Sequence, residues 1–283
     1  INDKRLEMDV VFQDEPLCVA FHPSGLSLLV GFLDRVALYS VLLNELQLVR
    51  EFNVRSASIV KYSSSGEYFA VAAASTLYVF DSVSGRVITS IRIQQGRLKC
   101  LNWLLFDKRL LTVRSDGRVD KWDTFTGASL GDYSEQLSSF TCGAGNLDGH
   151  RVVIATSDAQ LKDFAFNGDD GSAHCVPVPG VVSNMLLLPG EKLLIASASD
   201  AGKPGSILVC QRLPRIAAPS EAVLIHGAPI TAMCLSRDGH FLYTSDANGA
   251  ICVTYVDFEE ENVLSRYDPL QNHDNSRSYL HID

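Results

Sequence analysis

The sequence predicts an all-β propeller, and three observations predict it: a recurring turn signal, a recurring aromatic strand end, and segments between them too short for helices. The turn signal, polar residues running into glycine, centres on Gly25, Gly66, Asp107, Gly149, Gly190 and Gly239, in steps of 41, 41, 42, 41 and 49 residues. The second anchor falls at Tyr39, Phe80, Trp122, Phe164, Cys210 in place of an aromatic, and Tyr255, in steps of 41, 42, 42, 46 and 45 residues. A four-stranded sheet cannot bury both faces alone, whereas sheets packed radially on one another bury them in turn.

Six four-stranded units follow in order, at about 17–52, 57–92, 97–133, 138–177, 181–225 and 229–264. The first carries its turn at Pro23-Ser24-Gly25 and the second at Ser64-Ser65-Gly66, before Phe80-Asp81. The third shows the grammar most fully. Leu98, Cys100 and Asn102 alternate with Lys99, Leu101 and Trp103, Arg109 to Val113 is β-rich, and Ser115-Asp116-Gly117 signals a tight hairpin before Val119 to Trp122. The fourth turns at Asp148-Gly149-His150, the fifth at Pro189-Gly190 and the sixth at Arg237-Asp238-Gly239.

The stretch Leu6 to Phe12 alternates like an outer strand, so residues 1–12 are expected to close the ring from the amino terminus. Residues 265–283 read as a polar tail or linker in which only Arg277 to Asp283 is strand-like. The expectation is one propeller over residues 1–264, with six clear blades and an incomplete seventh built from the termini.

Composition narrows the function. Of 283 residues 46% are apolar, enough for a substantial core. The 33 acids against 24 bases give a formal charge of -9, which repels phosphate backbones and argues against nucleic-acid or anionic-membrane binding. Seven cysteines are scattered singly without a Cys-x-x-Cys pair, as expected in a reducing compartment. No apolar run approaches the ~18 residues of a membrane span. The chain starts at Ile1 without a signal-peptide pattern and is expected to be a piece of a longer protein.

Trp122-Asp123 following Ser115-Asp116-Gly117, with His226-Gly227 and Asp238-Gly239 in the sixth unit, resembles the WD-repeat family along all six units. The run Pro16 to Gly25, Leu29 to Phe32, Glu51 to Val54, Asp158 to Asp163 and His226 to Thr231 further resemble the second propeller of the cilia- and flagella-associated protein 57 family. That resemblance implies a non-enzymatic scaffold of the ciliary axoneme with two amino-terminal propellers and a carboxyl-terminal coiled coil. It implies association with inner dynein arms, their regulatory complexes and other proteins of doublet microtubules. No cofactor, metal or small-molecule substrate is implied.

In that family a hydrogen-bonded chain joins a His, a hairpin Asp, a Ser or Thr, and the Trp. Here Asp116, Trp122, Asp123 and His226 are its structural candidates, with Asp34, Asp158 and Asp246 as further hairpin acids and Tyr255 in the sixth tryptophan's place. The second unit has Ser75 where the acid is expected. The networks are therefore incomplete, and blade stability is expected to rest on apolar packing, at about 25 cal/mol per Å².

Candidate sites are few. His174-Cys175 lacks two further ligands for zinc, Cys142 to Gly149 lacks the spacing and helix of a phosphate loop, and Asp169-Asp170 and Glu259 to Glu261 supply too few ligands for calcium. The one surface that stands out is basic. Arg97, Lys99, Lys108, Arg109, Arg114, Arg118 and Lys121 face only Asp107, Asp116 and Asp120, a local excess of 4 positive charges. Arg114, Arg118 and Lys121 are the candidate contacts for an acidic partner. Three other readings share the fold: a WD-repeat adaptor of another cytoplasmic or nuclear assembly, a propeller enzyme, which needs a central-channel cluster of carboxylates, His or metal ligands that these residues do not supply, and a peptide-recognition module with an aromatic or acidic cage.

Overall fold

The computed structural model describes residues 10–93, 95–135, 138–146, 149–166, 173–178, 180–187, 193–198, 206–210, 222–224, 226–236 and 240–255. They form antiparallel meanders in which each strand pairs with its sequence neighbour. In the first blade these are β1 (Cys18–Phe21), β2 (Ser27–Gly31), β3 (Val36–Val41) and β4 (Leu46–Phe52). The second has β5 (Ala57–Tyr62), β6 (Tyr68–Ala73), β7 (Thr76–Asp81) and β8 (Val87–Arg92), and the third has β9 (Leu98–Leu104), β10 (Arg109–Arg114), β11 (Arg118–Asp123) and β12 (Ser129–Ser134). The fourth has β13 (Phe140–Gly145), β14 (Arg151–Thr156), β15 (Gln160–Ala165) and β16 (His174–Pro177), and the fifth has β17 (Val181–Leu187), β18 (Leu193–Ala198), β19 (Ser206–Cys210) and β20 (Ala222–Leu224). The sixth has β21 (Ile230–Leu235), β22 (Phe241–Asp246) and β23 (Ile251–Tyr255).

This corrects the expected count. The structure has five four-stranded sheets and one three-stranded sheet among the described residues, not six complete blades. The expected seventh blade falls mostly on residues 1–9 and 256–283, which lie outside the described residues. Val10, Val11 and Phe12, the described part of the expected closing strand, carry no strand structure. Phe12 instead packs its ring on Phe32 and Tyr39, with centroids at 5.7 and 5.6 Å. The chain divides into two compact units, Ile1–Gln136 with the first three blades and Leu137–Asp283 with the rest.

Apolar packing between sheets dominates each unit. Leu29, Val36, Phe52, Val60, Phe69 and Phe80 form one cluster between the first and second blades. Ala70, Leu77, Val79, Leu101, Trp103 and Leu110 form another between the second and third. In the second unit Cys142, Val153, Leu161, Val176 and Val182 join the fourth blade to the fifth.

The period has a conformational cause. Gly25, Gly66, Asp107 and Gly149 all stand at positive φ, 75°, 79°, 67° and 69°, at the turn between the first two strands of their blades. Gly66 has a second reason, because a Cβ there would meet the His22 ring at 2.3 Å. Asp107 accepts the strained conformation without being glycine, and Leu105 and Phe106 before it share it at φ 49° and 50°.

A third repeat is visible in the strand pairing. The inner strand of the second to sixth blades bulges at Ser58, Lys99, Thr141, Ser183 and Thr231, each skipped in the pairing register. Ser58, Thr141 and Thr231 donate their hydroxyls to the neighbouring strand at Ala72, Ala155 and Ser245. The bulge also explains why Leu98 is buried together with Leu101 and Trp103, against the strict alternation expected there.

Candidate functional site

At the hairpin end of the third blade, β10 ends on Arg114, the turn runs through Ser115-Asp116-Gly117, and β11 begins at Arg118. The turn is tied to the incoming loop twice: the Ser115 N–H donates to the Arg97 carbonyl and the Arg97 N–H to Ser115 Oγ, both at 2.9 Å. Gly96 sits against Asp116 so closely that a Cβ would lie 2.5 Å from its carboxylate.

Arg114 does not face solvent. Its side chain is 4% exposed and donates to the Gln95 carbonyl at 2.7 Å, with Nε 3.2 Å from Asp120 and 3.5 Å from Asp116. Burial pushes the Asp120 carboxyl above its ordinary range, and the charge of Arg114 pulls the other way. Lys121 is likewise only 2% exposed. Two of the three expected basic contacts are therefore corrected: Arg114 and Lys121 are buried on opposite faces of a sheet that is covered on both sides, and Arg118, at the start of β11, is exposed. The exposed cations Arg97, Lys99 and Arg118 make no ion pair among the described residues, and the charge of Arg118 adds to that of Arg114 on Asp120.

The hydrogen-bonded chain is split between blades. In the third, Trp122 Nε1 donates to Thr112 Oγ1 at 2.9 Å. In the sixth, His226 lies 3.1 Å from Asp246 Oδ2 through Nδ1 and 2.7 Å from Thr244 Oγ1 through Nε2, all three residues being buried. Burial pushes the Asp246 carboxyl up, but the Ala250 and Asn248 N–H groups and His226 hold it below the ordinary range.

Register corrects two alignments. Trp122 pairs with Leu110 and Thr112 with Asp120, while Thr254 pairs with Leu242 and Thr244 with Cys252. Thr254, not Tyr255, thus takes the tryptophan's place, and by the same comparison Arg114 stands where the sixth blade has Asp246. Asp116 corresponds to Asn248, two residues further into the turn, and the expected hairpin acids are not one set. Asp123 acts at the opposite end, where one carboxylate oxygen accepts from the Phe125 and Thr126 N–H groups and from the Thr126 hydroxyl. Those bonds, led by Thr126, hold its carboxyl below the ordinary range.

The remaining candidates do not converge. Among the described residues no three His, Cys, Asp or Glu side chains come together as metal ligands. His174 and Cys175 are exposed on β16, and Cys142 to Gly145 lie within β13 rather than in a loop before a helix. Asp169, Asp170 and Glu259 to Glu261 lie outside the described residues. No helix of the described residues is long and apolar enough to cross a membrane.

Period, meander and the remnants of the His–Asp–Thr–Trp chain define the class, an all-β WD-repeat propeller, and the family model described as "WD domain, G-beta repeat" matches residues 220–254. The chain is similar to cilia- and flagella-associated protein 57 of Mus musculus, 24% identical over 87% of this chain, and to cilia- and flagella-associated protein 57 A of Tetrahymena thermophila, 26% identical over 95% of it. It spans only 19% and 20% of the length of those two relatives. A shorter likeness, 27% identical over 52% of this chain and 25% of the relative, reaches the human U3 small nucleolar RNA-associated protein 4 homolog.

Proposed function

We propose that this chain is a non-catalytic protein-interaction platform of a cilium or flagellum. The similarity to cilia- and flagella-associated proteins along 87% to 95% of its length carries the reading. In its finer form the domain corresponds to the second propeller of such a protein. It docks on inner dynein arms, their regulatory complexes or other proteins of the doublet microtubules, in the axoneme.

Several features support a platform rather than turnover. The blades are antiparallel sheets packed on one another, and loops on such a scaffold are where partners are held. A propeller acting this way positions its neighbours and raises their effective concentration. The contact for an acidic partner is Arg118 with Arg97 and Lys99. At -9, the domain meets acidic surfaces only through such a local patch.

The test is to tag the full-length protein in ciliated cells and map crosslinks to this segment. Axonemal signal with crosslinks to dynein-arm or doublet proteins is expected. The partial likeness to a U3 small nucleolar RNA-associated relative supplies the competing reading, and nucleolar signal without ciliary signal would establish it instead.

A further inference from the structure

The first three blades share a second exposed surface, at the end opposite the Ser115–Gly117 hairpin. In each blade one backbone bond stitches the end of the third strand, or the residue just after it, to the turn after the first: Val41 N–H to the Leu26 carbonyl, Ser82 to Glu67, Thr124 to Lys108. Side-chain bonds then join neighbouring blades at this same end. His22 Nε2 lies 3.2 Å from the Gly66 carbonyl, and Asp107 accepts the Ser64 and Ser65 N–H groups at 2.9 Å each. These bonds hold the turns of all three blades on one face.

That face carries a repeated apolar position. Leu42, Val83 and Phe125 each follow the stitched residue of their blade, and all three are exposed. Leu43 and Phe106 beside them are 92% and 93% exposed. Phe106 is held outward by a turn whose three successive left-handed residues are pinned by the buried Asp107 carboxylate. A pre-set aromatic at a rigid tip loses little freedom on binding, as interface anchors do.

We infer that this row is a docking face for an amphipathic helix of a partner protein. The reading rests on the platform function above and names the chemistry of one partner. Backbone bonding chooses the helix. The tips are turns rather than a strand edge, and the N–H groups of Leu42, Ser84, Phe125 and Thr126 are already used, on Glu45, Asp81 and Asp123, so an added strand finds no continuous ladder there. A helix satisfies its own backbone and presents apolar side chains in a line. Charge sets its direction: exposed Glu45 lies at the first blade and exposed Lys108 at the third, with Glu67, Arg86 and Arg50, which donates to the Ser84 carbonyl, between them. The helix therefore carries acidic residues at the end over Lys108 and basic ones at the end over Glu45.

A photo-crosslinking residue placed at position 106 or, separately, at 118 of the full-length protein in its own cells reads the contact, with adducts sequenced. Position 106 is expected to join a helical segment with an apolar stripe and an acidic end. That segment, made as a peptide, should bind wild type and lose about tenfold on Phe106→Ser or Phe125→Ser, with Leu33→Ser at the other end unchanged. Lys108→Glu should weaken it, and a peptide with its acids changed to lysine should recover the loss. Absence of an adduct at 106, adducts with a strand, a lipid or a second copy of this chain, or affinity indifferent to Phe106 and Phe125 in variants that melt like wild type, would each overturn the inference. If position 118 still captures axonemal partners, the platform reading survives that failure; if neither position captures one, both fall.

Discussion

The Asp107 carboxylate accepts the Ser64 backbone N–H at 2.9 Å across the contact between the third blade and the second, and takes the Ser65 N–H on its other oxygen. Burial alone would push this carboxyl up, yet the bonds from Ser65, Ser64 and Ser63 hold it below the ordinary range. Asp107→Asn should therefore destabilise the first unit by about 1–3 kcal/mol at neutral pH. A carboxyl depressed in the folded state stabilises fully above its unfolded value of about 3.9 and loses that contribution as pH falls through the folded value. The gap between wild type and Asp107→Asn should begin to narrow below about pH 4 and close as pH falls through the lower folded-state value. Denaturant midpoints at pH 7 and pH 3 check this.

Apolar packing should outweigh the hairpin acids. Val119 is fully buried while Asp116 is exposed, so Val119→Ala should cost about 2 kcal/mol and Asp116→Ala about 1 kcal/mol or less. Urea unfolding ranks the two. A larger loss from Asp116→Ala would mean that the turn, not the sheet contact, limits stability.

The split hydrogen-bond chain predicts couplings confined to single blades. Trp122→Phe with Thr112→Val should show an interaction energy of about 0.5–1.5 kcal/mol in a double-mutant cycle. His226→Phe with Thr244→Val should show one of similar size. Trp122→Phe with Thr244→Val should be additive.

Arg114 and Arg118 should part company. Arg114→Ala leaves Asp120 buried without its cation, a loss of about 3–5 kcal/mol by analogy with broken buried pairs. Arg118→Glu should leave the melting temperature nearly unchanged and instead weaken an acidic partner while flattening the salt dependence of its binding. Paired melting and binding measurements separate the roles, and a partner affinity unmoved by Arg118→Glu would remove the basic contact.

Charge also predicts behaviour toward microtubules. At -9 the domain should not bind bare microtubules, whose exposed tails are acidic, at physiological salt. Co-sedimentation checks this, and saturable binding would place attachment in this segment.

The one-dimensional pattern determined the class of fold and the place of each blade. A turn that needs positive φ and a strand that must end on a bulky side chain leave marks at fixed spacing, so Gly25, Gly66, Asp107 and Gly149 could be read without coordinates. The bulges at Ser58, Thr141 and Thr231 left an equally regular mark, but a small hydroxyl on a strand has many meanings until its carbonyl partner is seen. Which basic residues face outward, and which residue fills the tryptophan's place, were decided only by the tertiary structure. A shift of one residue in strand register exchanges the two faces of a sheet, which decides between Thr254 and Tyr255, and neighbours covering both faces of the third sheet bury Arg114 from one side and Lys121 from the other. Spacing along the chain could therefore locate the Arg114 to Lys121 cluster, but only the packed sheets turned Arg114 and Lys121 inward and Arg118 to the solvent.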